Sequence, residues 1–207
     1  NVELITNGFD ADDFAGIKPI RTDKFTIQHI GVVDELRDPR SVMLAIRELI
    51  AQDATRMAEF NIEFVGSVNT EFQNWVKADT ALTPITAFKS YVPHQELLSL
   101  YARTDLQLLV LAKTALAPGN LPGKFFEYLA SGKPILAIGP VDGDAASILS
   151  DTQAGKIFEH DDISGIKQFL LGQFEYWKND GGMKNKGNFK YSREYLTSQL
   201  IQLLESL

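Results

Sequence analysis

Six short apolar runs punctuate this chain, and each is followed by a stretch with helical spacing. The runs are Phe25 to Gly31 (FTIQHIG), Asn61 to Gly66 (NIEFVG), Ile85 to Phe88, Asp105 to Leu111 (DLQLLVL), Lys133 to Ile138 and Gly155 to Phe158. Runs of four to seven residues bounded by turn residues suit strands buried on both faces. The intervening stretches read as helices. Asp38-Pro39 supplies a cap and a first-turn proline, followed by Val42, Leu44, Ala45, Ile46, Leu49 and Ile50. Further helices are expected over Glu71 to Lys77, from Pro93, over Pro122 to Ser131, Asp144 to Ser150 and Ile163 to Trp177, and over Ser192 to Leu204. Asn179 to Asn188, rich in Gly, Asn and Lys, reads as a loop. Strands alternating with helices require crossover connections. They predict an α/β fold: a Rossmann-like, doubly wound parallel sheet of about six strands, with Asp105 to Leu111 central.

In such a sheet ligands bind beyond the carboxyl ends of the strands, so the loops there are the candidates. The most informative is Pro118 to Pro134 (PGNLPGKFFEYLASGKP), a Gly-rich loop that opens a helix. The first turn of a helix carries unpaired N–H groups and a partial positive charge, which suit phosphate. Asn120, Leu121, Pro122 and Gly123 form the approach, Lys124 adds a cation, and Glu127 lies one turn on, where a carboxylate can accept from a ribose diol. Phosphate at the helix end and hydroxyls at the carboxylate together describe a nucleoside diphosphate. The same residues equally suit a plain loop and helix with Glu127 as a solvated charge. A P-loop is excluded, because only three residues separate Gly119 from Gly123 and Phe125 replaces the hydroxyl residue that would hold magnesium.

Two other loops contribute candidates. After the first strand, Arg37 and Arg40 flank a helix start, where their planar forks suit a diphosphate, or else pair with Asp34, Glu35 or Asp38. After the third strand, Tyr91 and Val92 could meet a base through ring packing and backbone groups, or form a rim with no ligand. Three scattered histidines without a cysteine make no metal site. The net charge of −7 argues against a nucleic-acid partner. The longest apolar stretch, Leu106 to Ala112, is too short to span a bilayer.

The order of these segments resembles the C-terminal domain of GT-B retaining glycosyltransferases, the group that includes glycogen and sucrose-type synthases and bacterial polysaccharide glycosyltransferases. Ile5 to Asp10 (ITNGFD) is similar to the family's interdomain linker, and Val92 to Tyr101 with Thr104-Asp105 to the helix and strand before the donor site. Gly123 to Pro134 (GKFFEYLASGKP) looks like the donor-binding helix, and Gly143-Asp144 and Ala154-Gly155 like the turns that follow. The resemblance implies a glycosyltransferase of hexosyltransferase type, with a nucleotide-diphosphate sugar as substrate rather than cofactor, no metal, and a cytoplasmic location, at the membrane's inner face if the remainder of the protein carries it there. Glu127 matches the second glutamate of the family's Glu-x7-Glu motif, whereas the first falls on Gly119.

The resemblance also divides the chain into a linker-like segment 1–24, a nucleotide-sugar-binding domain 25–190 and a C-terminal helix 191–207. The expected partner is an N-terminal acceptor-binding domain of the same protein, without which the fragment is expected to be inactive. Leu196, Leu200, Ile201, Leu203, Leu204 and Leu207 form a wide apolar stripe. The stripe either packs on this domain or, exposed, drives self-association. Two alternatives share the fold: a nucleotide-sugar epimerase, for which no acid/base constellation stands out, and a non-catalytic nucleotide-binding module.

Overall fold

The computed structural model describes residues 2–180 and 189–206. Six strands form one sheet: β1 (Phe25–Ile30), β2 (Phe60–Val65), β3 (Thr86–Lys89), β4 (Leu106–Val110), β5 (Ile135–Ile138) and β6 (Gly155–Phe158). All pairs are parallel, in the order β3-β2-β1-β4-β5-β6. The expected α/β, Rossmann-like doubly wound sheet is therefore present. β4 is central, and every one of its residues is buried.

The helices are α1 (Ala11–Phe14), α2 (Arg40–Gln52), α3 (Thr55–Glu59), α4 (Thr70–Ala78), α5 (His94–Arg103), α6 (Gly123–Ala130), α7 (Asp144–Thr152), α8 (Ile163–Asp180) and α9 (Arg193–Glu205). They cover both faces. One core gathers Ile27, Ile46, Phe64, Phe72 and Phe174, from the first two strands and from α2, α4 and α8. The other gathers Phe9, Tyr101, Leu109, Phe125, Tyr128 and Leu149, which α5, α6 and α7 lay against the central strands. At roughly 1.5–3 kcal/mol for each fully buried large apolar side chain, these two layers supply the main drive to fold.

Three local outcomes differ from the sequence reading. α2 begins one residue late: Pro39 occupies the cap position and makes no side-chain cap bond, while the Asp38 carboxylate accepts from the Arg40 amide at 2.9 Å. The stretch before Lys24 contains α1, capped by the Asp10 side chain, and α3 follows α2 directly. Both helices are too short for apolar periodicity to reveal them. The loop expected over Asn179 to Asn188 begins inside α8, and its positions 181–188 lie outside the described residues.

The two ends of the chain meet. Phe9 bridges in parallel to Ser192, its amide donates to the Tyr191 carbonyl at 3.0 Å, and the Arg193 amide donates to the Phe9 carbonyl at 2.8 Å. Ser192 caps α9 by accepting from the Tyr195 amide. Of the apolar stripe on α9, Leu196 is buried, whereas Leu200, Ile201 and Leu204 are exposed. Among the described residues no helix is long and apolar enough to cross a membrane.

Phe9 is only 7% exposed and meets Phe14 edge-on. Phe9→Ala should therefore lower folding stability by about 3 kcal/mol, the cost of emptying a core aromatic site. Urea unfolding checks this. A loss below about 1 kcal/mol would show that the first segment rests on the domain without belonging to it.

Candidate functional site

The sheet order reverses between β1 and β4, the two strands whose connections run in opposite directions. Their pairing ends early, at Gln28 against Gln107. β1 continues beside β2 as far as Ile30, and β4 beside β5 as far as Val110. A crevice thus opens at the carboxyl ends of β1 and β4, where doubly wound sheets hold ligands.

Side chains occupy the backbone groups that this divergence frees. The Tyr128 hydroxyl receives the Ile30 N–H at 2.9 Å, and the Lys124 ammonium donates to the Ile30 carbonyl at 3.0 Å. His29 Nδ1 lies 3.0 Å from the Leu108 carbonyl, so this nitrogen carries the proton. Burial, and then the charge of Lys124, lower the His29 pKa to about 3, so the ring is neutral. The neutral ring adds no positive charge to the crevice.

Lys124 is the central cation. It sits in the first turn of α6 over Gly31, whose φ of +131° lies where side chains are rarely found. A β-carbon at position 31 would stand 2.9 Å from the flexible end of Lys124, so it is the backbone conformation that asks for glycine. Burial, reinforced by Arg37, lowers the Lys124 pKa to about 8. Arg37 therefore lies within electrostatic reach of Lys124, and it is held at 2.7 Å by Asp34. Lys124, in the first turn of α6, and Arg37, paired with Asp34, thus lie close enough at the end of β1 to feel each other's charge.

Arg40 points elsewhere. Its guanidinium bonds Asp38 and, at 2.7 Å, Glu71, and lies over the ring of Trp75. It ties α2 to α4 on the outer side of the loop. Tyr91 is 81% exposed and Val92 half-buried, both at the end of the edge strand β3. Asn120 and Leu121 are half-buried, Pro122 takes the cap position of α6, and Gly123 is exposed at its first position.

Glu127 is one turn inside α6. Its Oε2 accepts from the Tyr101 hydroxyl at 2.7 Å. Burial of Tyr101, with Tyr128 and Glu127 beside it, raises the phenol pKa, so this bond persists as a donor to a carboxylate. Glu127 also lines a cavity of about 180 Å³ with Asn7, Phe9, Asp13, Gly123 and Arg193. The linker-like segment thus forms a wall beside the candidate ribose-binding carboxylate.

Several of these partners escaped the sequence reading: Tyr101, Tyr128, His29 as a proton donor, and Arg193. Each acts across many residues of chain, and only the aromatic character of positions 101 and 128 hinted at them. Among the described residues no group of three or more His, Asp or Glu is placed to hold a metal ion.

No family model matches the chain, and no curated protein matches it. Solved structures do. A crystal structure of HepE from Anabaena in complex with UDP matches with a TM-score of 0.67 and 18% identity, over 99% of this chain and 57% of that one. Sucrose-phosphate synthase from Thermosynechococcus elongatus matches with a TM-score of 0.70 and 14% identity, over 99% of this chain and 52% of that one. The chain spans little more than half the length of either. Strand order, the crevice between β1 and β4 and these likenesses agree on one architecture: this chain has the fold of the C-terminal half-domain of GT-B proteins.

Proposed function

We propose that this chain is the donor-binding half of a glycosyltransferase that uses a nucleotide-diphosphate sugar. The observation that carries this reading is the convergence of Lys124, Arg37 and the first turn of α6 at the point where the sheet order reverses. Charge-assisted bonds to phosphate from an ammonium, a guanidinium and backbone amides are each strong, and this crevice groups all three. A diphosphate leaving a sugar gains negative charge, so the same cations would stabilise its departure without a metal. Glu127, held from behind by Tyr101, presents its remaining lone pairs to ribose hydroxyls. HepE, solved with UDP, supports a nucleotide in a fold of this kind.

In this reading the acceptor is held by a second domain facing the crevice. Val32, Leu36, Leu116 and Val141, exposed at the carboxyl ends of β1, β4 and β5, rim the face it would cover. Transfer needs an acceptor positioned against the anomeric carbon, which one wall cannot provide. The reading further puts the activity in the cytoplasm and in polysaccharide synthesis, as the sequence resemblance implies.

Calorimetric titration of the chain with UDP, GDP, dTDP and ADP tests the reading directly. One of these should bind, while no sugar is transferred to any acceptor by the chain alone. Failure of all four to bind would sink the proposal, and efficient transfer would sink its two-domain form.

Glu127→Ala should cost about 1–3 kcal/mol of affinity for the diphosphate that binds, the value of a hydrogen bond to a charged group. The 2′,3′-dideoxy form of the same nucleotide should lose nothing. Equal losses for the two nucleotides would mean that Glu127 does not read the ribose.

Diphosphate affinity should also fall as pH rises past about 8. Below that pH Lys124 is charged in the free protein, whereas above it the bound anion must draw a proton onto the amine. The loss can reach about tenfold per pH unit until the raised pKa of the complex is passed. Lys124→Met should bind more weakly and show a flat profile over the same range. A wild-type profile just as flat would remove Lys124 from the phosphate site.

A further inference from the structure

A second charged cluster lies inside the sheet, apart from the crevice groups described above. Glu63, on β2, is 7% exposed and sits between two cations. Its Oε1 accepts from the Lys89 ammonium at 2.7 Å, and its Oε2 from the Arg103 guanidinium at 3.2 Å and from the Gln28 amide at 3.1 Å. Burial works to raise the Glu63 pKa, but the Lys89 bond and the charges of Arg103 and Lys89 outweigh it and hold the pKa below its ordinary value. The group is therefore an ionised carboxylate at neutral pH.

Its two cations close the two ends of one unit. Lys89 ends β3 and Arg103 ends α5, and residues 90–93 alone connect that strand to that helix. β3 is an edge strand of four half-buried residues, paired with β2 only. Little buried apolar surface fixes such a strand, so its polar ties matter more. One tie runs through the backbone: the Lys89 carbonyl accepts from the Gly66 N–H at 2.9 Å. Gly66, with φ of +124°, packs on Gly31, and a β-carbon there would stand 2.4 Å from the Gly31 carbonyl oxygen. Gly31 lies beneath Lys124. The loops after β1, β2 and β3 thus form one lip, from Lys124 to the start of residues 90–93. Beyond that segment, α5 carries Tyr101, which holds Glu127.

We propose that Glu63 is a positioning residue for nucleobase recognition: by drawing Lys89 and Arg103 onto one carboxylate, it sets the place of residues 90–92, whose backbone groups read the base edge. This rests on the donor-binding reading above. A buried ion pair adds little net stability, because desolvation offsets the attraction, yet it admits few geometries. Bases are told apart by which donors and acceptors are left unpaired, and that discrimination fails when the reading groups move by about 1 Å. Glu63 touches no ligand. Its influence reaches the base through β3 and α5 and spares the phosphates, which Lys124 and Arg37 meet.

Calorimetric titration with UDP, GDP, dTDP and ADP, and with inorganic pyrophosphate as a probe that has no base, tests this. The wild-type chain should prefer one diphosphate over the others. Glu63→Gln should cut that preference about tenfold and leave pyrophosphate affinity unchanged. Arg103→Gln, altered at the far end of α5 from residues 90–92, should show the same loss, and the double variant should lose no more than Glu63→Gln alone. Arg103 and Lys89 are more exposed than Glu63, so Arg103→Gln and Lys89→Gln keep the test open should Glu63→Gln fail to fold. A cluster that only stabilises the fold would lower the melting temperature and leave the preference among the four diphosphates intact. That outcome, or equal weakening of pyrophosphate and diphosphates, or a wild-type chain that binds all four alike, overturns the proposal. If neither pyrophosphate nor any diphosphate binds, the donor-binding reading falls first. If they bind and only the base preference fails to follow Glu63 and Arg103, this inference alone falls.

Discussion

The parting of β1 from β4 is the constraint on which the rest of the site depends. Two parallel strands cannot separate inside a protein without stranding backbone groups, and a stranded buried N–H or C=O costs about 1–3 kcal/mol. Here the stranded groups are the N–H and C=O of Ile30 and the carbonyl of Leu108, met by Tyr128, Lys124 and His29 respectively. Two of the three capping side chains come from α6, so closing the gap also docks the helix. Its first turn is thereby fixed at the mouth of the crevice. Gly31 is the counterpart on the strand side: its positive φ asks for glycine, and the lysine that holds the helix lies over it.

In the proposed donor site this arrangement would let Lys124 serve both structure and ligand. An ammonium has three donors, and one goes to Ile30. The remaining two are available at the crevice. Burial makes the charge costly in the free protein, which is the state expressed by a pKa near 8. An arriving anion removes that cost, so the unfavourable burial becomes a gain on binding. Arg37 is prepared differently. Its guanidinium is paired with Asp34, and an anion would have to compete with or share that pair. In the proposed site the two cations would divide the work: the lysine would provide a position short of negative charge, and the arginine one already half satisfied.

The fold was legible in the residues because it is written in periodicity. Six buried runs spaced by helical stretches admit few topologies, and the Gly-rich turn before α6 marked the candidate site by its place before a helix, although neither Gly119 nor Gly123 takes a positive φ. α1 and α3 were not legible, being too short to show a repeat and dependent on local caps such as Asp10. The direction of Arg40 was not legible either. Its sequence neighbour Asp38 was visible, but Glu71 and Trp75 approach from 31 and 35 residues away, brought near by the pairing of β1 with β2. Tyr101 and Glu127 are likewise joined only because β4 places α5 beside α6. Motif spacing gives the residues that face a ligand, whereas topology gives the residues that stand behind them.

That division bears on the position occupied by Gly119. A sequence comparison reads glycine there as a lost carboxylate, because it scores one position at a time. The crevice is assembled from loops that meet only in three dimensions, and a functional group can be delivered to the same point from any of them. The contact of Gly143 with Pro118 joins the loop after β5 to the loop after β4, and brings the start of α7 against the turn that leads into α6. A β-carbon at position 119 would stand 4.0 Å from the Asp144 carboxylate, an ordinary contact distance, so neither space nor backbone conformation demands glycine there.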